Sequence, residues 1–451
     1  MKINSITTAA ILWLFTAQTG FSQWSTVCAT GNGFVTNFEV FNNELYATGF
    51  FTSLCGSPFN HLAKFDGTSW TAIGIGHPTA GHQLKAIDNE LYFVAYQPAL
   101  DSNWVYQWDG TGMNKVGEGV YLTTAVTGFS QTANLYGLLK YDGNIIACGE
   151  FDRVGTKTIS GIMQWDGTEW SGLGSGLSGS LGGAPIMYPH DMCMFGTDLV
   201  VGGNFLQAGG ITVNGIARWD GTQWQSLGDG FNGTVYGVCE FNGELYASGG
   251  FTMSGSTPLK NIAKWDGSAW VDPGFRMYYQ NPGYYSFGHT LKAMNGKLYV
   301  SGGFDRVEMG TTIHQCQGIY VYDGTAVDTL SGGTAGKEIE GVALYNGELY
   351  AGGGMNNSNS FIAKYNSTVG LESQEKEQLT VRPNPSADGV FLLTADERIN
   401  KIVVVNNVGQ LIKTAEPGEK EYQLKLTESG LYHVMIHLGT TTVHQSVSVT
   451  K

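Results

Sequence analysis

Tyr236-Gly-Val-Cys-Glu-Phe-Asn-Gly-Glu-Leu-Tyr-Ala-Ser-Gly-Gly-Phe251, followed after a loop by Asn261-Ile-Ala-Lys-Trp-Asp-Gly-Ser-Ala-Trp270, is the clearest copy of a unit that repeats along most of this chain. Asn-Gly and Asp-Gly supply the positive φ of a tight hairpin turn. The runs beside them, Glu244-Leu-Tyr-Ala-Ser and Ile262-Ala-Lys-Trp, have the composition and partial alternation of strands. Outward from this copy, the turn-plus-strand landmark recurs at Leu45, Leu91, Ile145, Leu199, Leu245, Leu298 and Leu349, spaced 46 to 54 residues apart. The Asp-Gly turn recurs at Asp66, Asp109, Asp166, Asp220, Asp266 and Asp323, usually after an aromatic residue.

That period matches one four-stranded propeller blade. A lone sheet of this kind cannot bury both faces, so the copies are expected to stack in a ring. The sequence predicts an all-β chain with a seven-bladed β-propeller over residues 23–366. Trp70, Trp170, Trp224 and Trp270 are expected to close fourth strands and pack between neighbouring sheets. The seventh copy stops at Phe361-Ile-Ala-Lys-Tyr-Asn366 without its Trp strand. Gln23-Trp24-Ser-Thr-Val reads as that missing strand, so the N-terminal strand is expected to complete the last blade. The copies resemble kelch-like and related secreted propeller repeats, although no single copy carries the full kelch signature.

Composition agrees with many short strands and tight turns: 65 glycines, 12% aromatic and only 14% charged residues. The net charge is -14, and only Arg153, Arg218, Arg276 and Arg306 precede residue 370. No basic stripe exists to neutralise phosphates, which argues against nucleic acid as a partner. Residues 1–22 read as a signal peptide, with Lys2, an apolar Ala9–Ala17 core, and Gly20 and Ser22 before a start at Gln23. Cleavage after Ala17 is the competing choice. Cys28 lacks a lipobox context, and no later segment reads as a transmembrane helix, so an integral membrane protein is not expected.

Residues 367–378 are polar and charged and read as a linker. Residues 379–451 are richer in Val and Ile and predict a small, Ig-like β-sandwich. Three signals stand in order there: Arg382-Pro-Asn-Pro-Ser-Ala-Asp-Gly-Val-Phe391, Val405-Asn-Asn-Val-Gly-Gln410 and Glu428-Ser-Gly-Leu-Tyr-His-Val434. They resemble the type A C-terminal sorting domain of the type IX secretion system, with Pro383, Asn384, Pro385, Gly389, Gly409, Gly430 and Tyr432 as the matching motif residues. The resemblance implies export across the outer membrane by the type IX machinery, removal of the domain by its sorting protease, and anchoring at the cell surface or release. Gln445 departs from the Lys that many members carry there.

Cys28 and Cys55 are the cysteines closest in sequence, both near the expected ring closure, and a disulfide between them is one pairing the sequence permits. No Cys/His spacing matches a structural zinc site, and no cofactor is implied.

Alignment of the copies gives a column nine residues before each landmark: Thr36, His82, Tyr136, His190, Tyr236, His289 and Glu340. This column is expected near the start of the innermost strands, beside the central channel. His82, His190 and His289 on alternate blades could converge on a metal with Glu340, or simply line a wet channel mouth. A second candidate is the loop Phe275-Arg-Met-Tyr-Tyr-Gln-Asn-Pro-Gly-Tyr-Tyr-Ser-Phe-Gly288. Tyr278, Tyr279, Tyr284 and Tyr285 offer flat faces and hydroxyls suited to sugar rings or a protein partner, or else to packing on the next blade. Asp152-Arg153 and Asp305-Arg306 could bind an anion, but read first as surface ion pairs. No nucleophile elbow, zinc-protease motif or phosphate loop is present. The reading is a non-enzymatic surface module binding a glycan or protein; the alternative is a polysaccharide lyase or hydrolase at the channel mouth.

Overall fold

The structure, a computed structural model, describes residues 24–28, 31–73, 83–97, 100–110, 112–123, 133–181, 187–278, 287–330, 338–354, 361–365, 379–382, 386–395, 398–406, 411–438 and 441–450. Among these residues it is all-β with no α-helix, and no helix is long and apolar enough to cross a membrane. Contacts divide the chain into two units, Met1–Val369 and Gly370–Lys451.

In the first unit each sequence copy forms an antiparallel sheet whose strands follow chain order from inside to outside. The clearest copy forms Val235–Phe241, Glu244–Gly249, Ile262–Trp265 and Trp270–Val271. Its first hairpin turns at Asn242 and Gly243, with φ of 54° and 79°. Among the described residues seven such sheets occur, with innermost strands Val35–Phe41, Leu84–Ile87, Asn134–Tyr141, Tyr188–Phe195, Val235–Phe241, Phe287–Met294 and Ile339–Tyr345. Each innermost strand lies beside the next in this order, and the seventh lies beside the first.

The apolar core is distributed between the sheets. One cluster joins Val200 and Ile216 of the fourth sheet to Val238, Leu245 and Trp270 of the fifth. Another joins Phe38, Ala47 and Phe65 of the first to Ala343, Tyr350 and Ile362 of the seventh. Every consecutive pair of sheets has such a cluster. Apolar burial is worth about 25 cal/mol per Å², so each sheet is stabilised chiefly by its neighbours.

The fourth strand of the seventh sheet is Trp24–Cys28. It pairs antiparallel with Phe361–Tyr365, Trp24 opposite Tyr365. Trp170, Trp224 and Trp270 each donate an indole N–H to a carbonyl just past the preceding sheet's last strand: Val116 at 2.9 Å, Leu173 at 3.1 Å and Leu227 at 3.0 Å. Trp24 makes the same bond to Leu330 at 3.2 Å, just past the sixth sheet. Trp70 is the exception, its buried Nε1 having no hydrogen-bond partner among the described residues. A disulfide joins Cys28 to Cys55, tying the strand Trp24–Cys28 to the turn of a small separate hairpin, Ser53–Leu54 with Ser57–Pro58.

In the second unit, Leu379–Arg382, Val390–Ala395 and Glu421–Lys425 form one sheet, and Leu411–Ala415, Ile399–Asn406, Gly430–Leu438 and Thr441–Val449 form another. Phe391, Leu393 and Leu424 from the first share one core with Ile402, Val404, Val434, Ile436 and Val447 from the second. The motif residues have structural work. Gly389 has a φ of 74°, and a Cβ there would lie 1.9 Å from the Leu426 carbonyl oxygen. Gly430 has a φ of 152°. Buried Tyr432 donates its hydroxyl to the Glu428 carbonyl at 3.0 Å. Pro383, Asn384, Pro385 and Gly409 lie outside the described residues, as do the signal-peptide and linker segments.

Candidate functional site at the inner edges of the sheets

Each innermost strand spends one hydrogen-bonding edge on its own sheet and turns the other toward its neighbours' inner edges. Those free backbone groups need partners, and side chains from adjacent sheets supply many of them. The Asp191 carboxylate accepts from Met192 N at 2.8 Å and from Val238 N, on the next sheet, at 2.9 Å. Thr290 donates to Glu340 O at 2.6 Å. The Lys292 ammonium donates to Val342 O at 3.2 Å and Phe38 O at 3.3 Å, so one side chain of the sixth sheet holds the seventh and the first. These inner strands enclose an open cavity of about 880 Å³, within the range of small-molecule sites.

Among the described residues, six of the seven innermost strands carry a β-bulge. Pairing with the second strand steps from Val35 to Asn37, Leu135 to Gly137, Pro189 to Asp191, Val235 to Gly237, Gly288 to Thr290 and Ile339 to Gly341. The residues passed over are Thr36, Tyr136, His190, Tyr236, His289 and Glu340, the column read from the repeats, and all six line the cavity. A bulge frees one residue from the ladder and re-aims its side chain. His82, the seventh member of the column, lies outside the described residues.

Opposite each bulge stands a glycine: Gly49, Gly149, Gly203, Gly249, Gly302 or Gly353. The bulged backbone comes so close that a Cβ on Gly249 would lie 2.1 Å from Thr234 O, and one on Gly149 would lie 2.0 Å from Asn134 O. The second copy has Ala95 at this place, and its described ladder between Leu84–Ile87 and Glu90–Phe93 runs without a shift. Sequence reasoning found the column but missed its companion, a glycine four residues after the landmark in the six bulged copies.

Four of the bulged side chains form one ring cluster. Tyr136 stacks on His190 at 5.3 Å between centroids, Tyr236 stacks on His289 at 5.2 Å, and His190 lies 5.1 Å from Tyr236 and 5.9 Å from His289. His190 Nδ1 lies 3.1 Å from Tyr236 O. A carbonyl only accepts, so Nδ1 carries the proton and Nε2 remains an acceptor. Burial lowers His190 to about 4, and burial with the nearby His190 lowers His289 to about 3, so both are neutral at physiological pH.

Glu340 and Asp191 also line the cavity, and Glu338 lies beside His289. Burial, then the charge of Glu338, raises the Glu340 carboxyl to about 8. Burial raises Asp191 to about 7 against its backbone bonds, and burial also raises Glu338. Glu338 Oε1 lies 3.5 Å from His289 Nε2, a close approach to a neutral ring and not a hydrogen bond. Among the described residues, neither Glu338 Oε1 nor Glu340 Oε1 has a hydrogen-bond partner. Among the described residues no group of three or more His, Cys, Asp or Glu has the geometry to hold a metal ion.

The other sequence candidates fall as follows. Tyr278 ends the strand Phe275–Tyr278, whose partner strand is Arg306–Met309. Tyr279, Tyr284 and Tyr285 lie outside the described residues. Asp152 accepts from the Thr123 amide and hydroxyl, both at 2.8 Å, and Arg153 stands over the Tyr121 ring at 4.9 Å. Arg306 donates to the Asp305 carbonyl at 3.0 Å. The Asp-Gly turns are self-contained: Asp220 accepts from Thr222 N at 2.8 Å, Thr222 Oγ1 at 2.7 Å and Gln223 N at 2.8 Å.

No family model and no curated protein matches the chain. Among solved structures it is similar to the extracellular domain of BT4673 from B. thetaiotaomicron, at 10% identity and a TM-score of 0.45 over 95% of this chain and 58% of that one. It is similar to PorZ, a bacterial surface component of the type-IX secretion system of Porphyromonas gingivalis, at 14% identity and a TM-score of 0.35 over 91% of this chain and 64% of that one. It is also similar to the WD40 β-propeller domain of Doa1, at 12% identity and a TM-score of 0.44 over 79% of this chain and 99% of that one. The chain thus spans less than two thirds of the first two. Likenesses this remote assign neither a family nor an activity.

Proposed function

We propose that this is an exported, extracellular binding protein. Residues 23–366 make a seven-bladed β-propeller closed by the N-terminal strand, and residues 379–451 make an Ig-like sandwich that serves as a type IX sorting domain. The binding site is the cavity where the bulged column converges, and the ligand is a glycan or a protein segment. The tyrosines Tyr278, Tyr279, Tyr284 and Tyr285 are a second candidate contact for that ligand. The carrying observation is that six successive bulges direct their freed residues to one cavity, each bulge matched by a glycine. Six copies of an arrangement that interrupts a ladder are hard to explain by sheet stability alone, and bulges concentrate where a side chain must be re-aimed.

Binding is tested with a glycan array and a pull-down from the extracellular milieu, using the mature protein. Wild type retains a ligand, and the double variant His190→Ala/Tyr236→Ala loses it while melting normally. Retention unchanged in that variant would reject the cavity. Alanine at Tyr278, Tyr279, Tyr284 and Tyr285 tests the loop in the same way. Export is tested by deleting residues 379–451 in a host with type IX secretion: the truncated chain stays in the periplasm, whereas undiminished surface delivery would contradict the sorting assignment.

A further inference from the structure

Two free thiols stand on neighbouring strands in the cavity wall. Cys193 and Cys239 both line the cavity, from the innermost strands of the fourth and fifth sheets. Each lies three residues after the bulged residue of its strand, His190 or Tyr236. Two contacts fix the register of these strands. His190 Nδ1 lies 3.1 Å from Tyr236 O, and the Asp191 carboxylate accepts from Val238 N at 2.9 Å. Two residues further along each strand, both sulfurs reach the backbone of Glu240. The Glu240 N–H donates to the Cys193 sulfur, and the Cys239 thiol donates to the Glu240 carbonyl at 3.3 Å. The two sulfurs thus flank the backbone of a single residue. The other free cysteines are enclosed between sheets: Cys148 is 0% exposed and Cys316 4%.

One of the pair is open to the cavity and the other is covered: Cys193 is half-buried and Cys239 is buried. Thiol–disulfide exchange needs this division, one sulfur that reaches an oxidant and a second that resolves the mixed disulfide. Burial raises the Cys193 thiol well above its ordinary value, with the nearby Cys239 adding to it, and burial raises Cys239 to about 12. Both are neutral thiols at physiological pH, and only the thiolate attacks, so exchange is slow. This accounts for an open pair in a chain whose Cys28–Cys55 pair is closed.

We propose that Cys193 and Cys239 are a modification site in the cavity wall, a thiol pair that closes into a second disulfide by exchange with a disulfide oxidant. Cys193 loses its proton and attacks one sulfur of the oxidant, forming a mixed disulfide and releasing one thiol. Cys239 then loses its proton and attacks the Cys193 sulfur, expelling the second thiol. The pair gives up two electrons and two protons, and the oxidant's disulfide takes them up as two thiols. The new bond joins the fourth sheet to the fifth, on the strands that carry His190 and Tyr236. Its formation does not depend on what the cavity binds.

Oxidised glutathione at millimolar concentration, added to the full mature chain at about pH 8.5, near the value of an unperturbed thiol, tests this. Samples are quenched in acid, the free thiols are alkylated in denaturant, and the peptides are read by mass spectrometry without reduction. Alkylated cysteines fall from the four free ones to two, a linked pair of peptides carrying Cys193 and Cys239 appears, and reduced glutathione reverses both changes. Cys239→Ser stops the reaction at a Cys193–glutathione mixed disulfide, which wild type does not accumulate. Four alkylated cysteines after prolonged oxidation, a Cys193–glutathione adduct that persists in wild type, or a linkage to Cys148 or Cys316 would overturn the proposal. The wild-type measurement decides the matter even if Cys239→Ser fails to fold.

Discussion

Trp24 and Tyr365, from opposite ends of the first unit, sit across from each other in one antiparallel ladder with ring centroids 5.3 Å apart. The contact makes the start of the described chain part of the last sheet. Trp24 is 8% exposed and belongs to the cluster between the sixth and seventh sheets. Trp24→Ala should therefore destabilise the first unit by about 3–5 kcal/mol, the usual cost of truncating a buried aromatic. Denaturant unfolding followed by circular dichroism checks this; a loss below about 1 kcal/mol would mean that the strand is an ornament.

The Cys28–Cys55 bond spans 27 residues and fastens the same strand to the hairpin Ser53–Leu54 with Ser57–Pro58. Replacing both cysteines with serine should cost about 2–4 kcal/mol, mainly because the unfolded chain regains freedom. Thermal melting of the variant, compared with wild type before and after reduction, measures it. Reduction should lower wild type to the level of the variant and leave the variant unmoved.

Gly249→Ala brings a methyl group to within 2.1 Å of the Thr234 carbonyl oxygen. The bulge must shift, at a cost of about 1–3 kcal/mol typical of overpacking. The freed Tyr236 side chain should move with it, so ligand retention should fall as well as stability. Gly243→Ala, where no atom lies near the added methyl, acts on the turn alone. A Gly249→Ala variant with wild-type melting and binding would remove the bulge argument.

Stability should be level between about pH 4.5 and 6.5 and fall on both sides. His190 and His289 drop from 6.5 to about 4 and 3. Their contribution is present above 6.5 and is lost as pH falls toward those values. Asp191 and Glu340 rise from 3.8 and 4.5 to about 7 and 8. Their contribution is present below about 4 and is lost as pH rises through 7 and 8. Between 4.5 and 6.5 the two slopes oppose each other, each group being worth about 1.4 kcal/mol per pH unit. Unfolding midpoints across the range check this, and Glu340→Gln should flatten the alkaline side. A wild-type profile without an alkaline decline would contradict the burial of these acids.

Much of this was legible because the repeat is strict where turns and ladders need it. Asn242-Gly243 and the Asp-Gly pairs marked the hairpins, and the missing Trp strand after Phe361–Tyr365 pointed to Trp24. The column from Thr36 to Glu340 could be read because the spacing to the landmark is constant. Its bulged geometry was hidden, since Thr, Tyr, His and Glu share no propensity that signals a bulge. The trace lay in the partner strand, where Gly249 and its equivalents give way to Ala95 in the second copy. Partners supplied by the next sheet, such as Asp191 for Val238 or Lys292 for Val342, depend on how the sheets pack and leave no local mark.

Hydrogen exchange measured by mass spectrometry on the mature protein tests the ring closure most directly. If Trp24–Cys28 is the outer strand of the seventh sheet, its amides exchange as slowly as those of Phe361–Tyr365. Complete exchange of residues 24–28 at the earliest time point, with 361–365 still protected, would show that the ring is not closed by this strand.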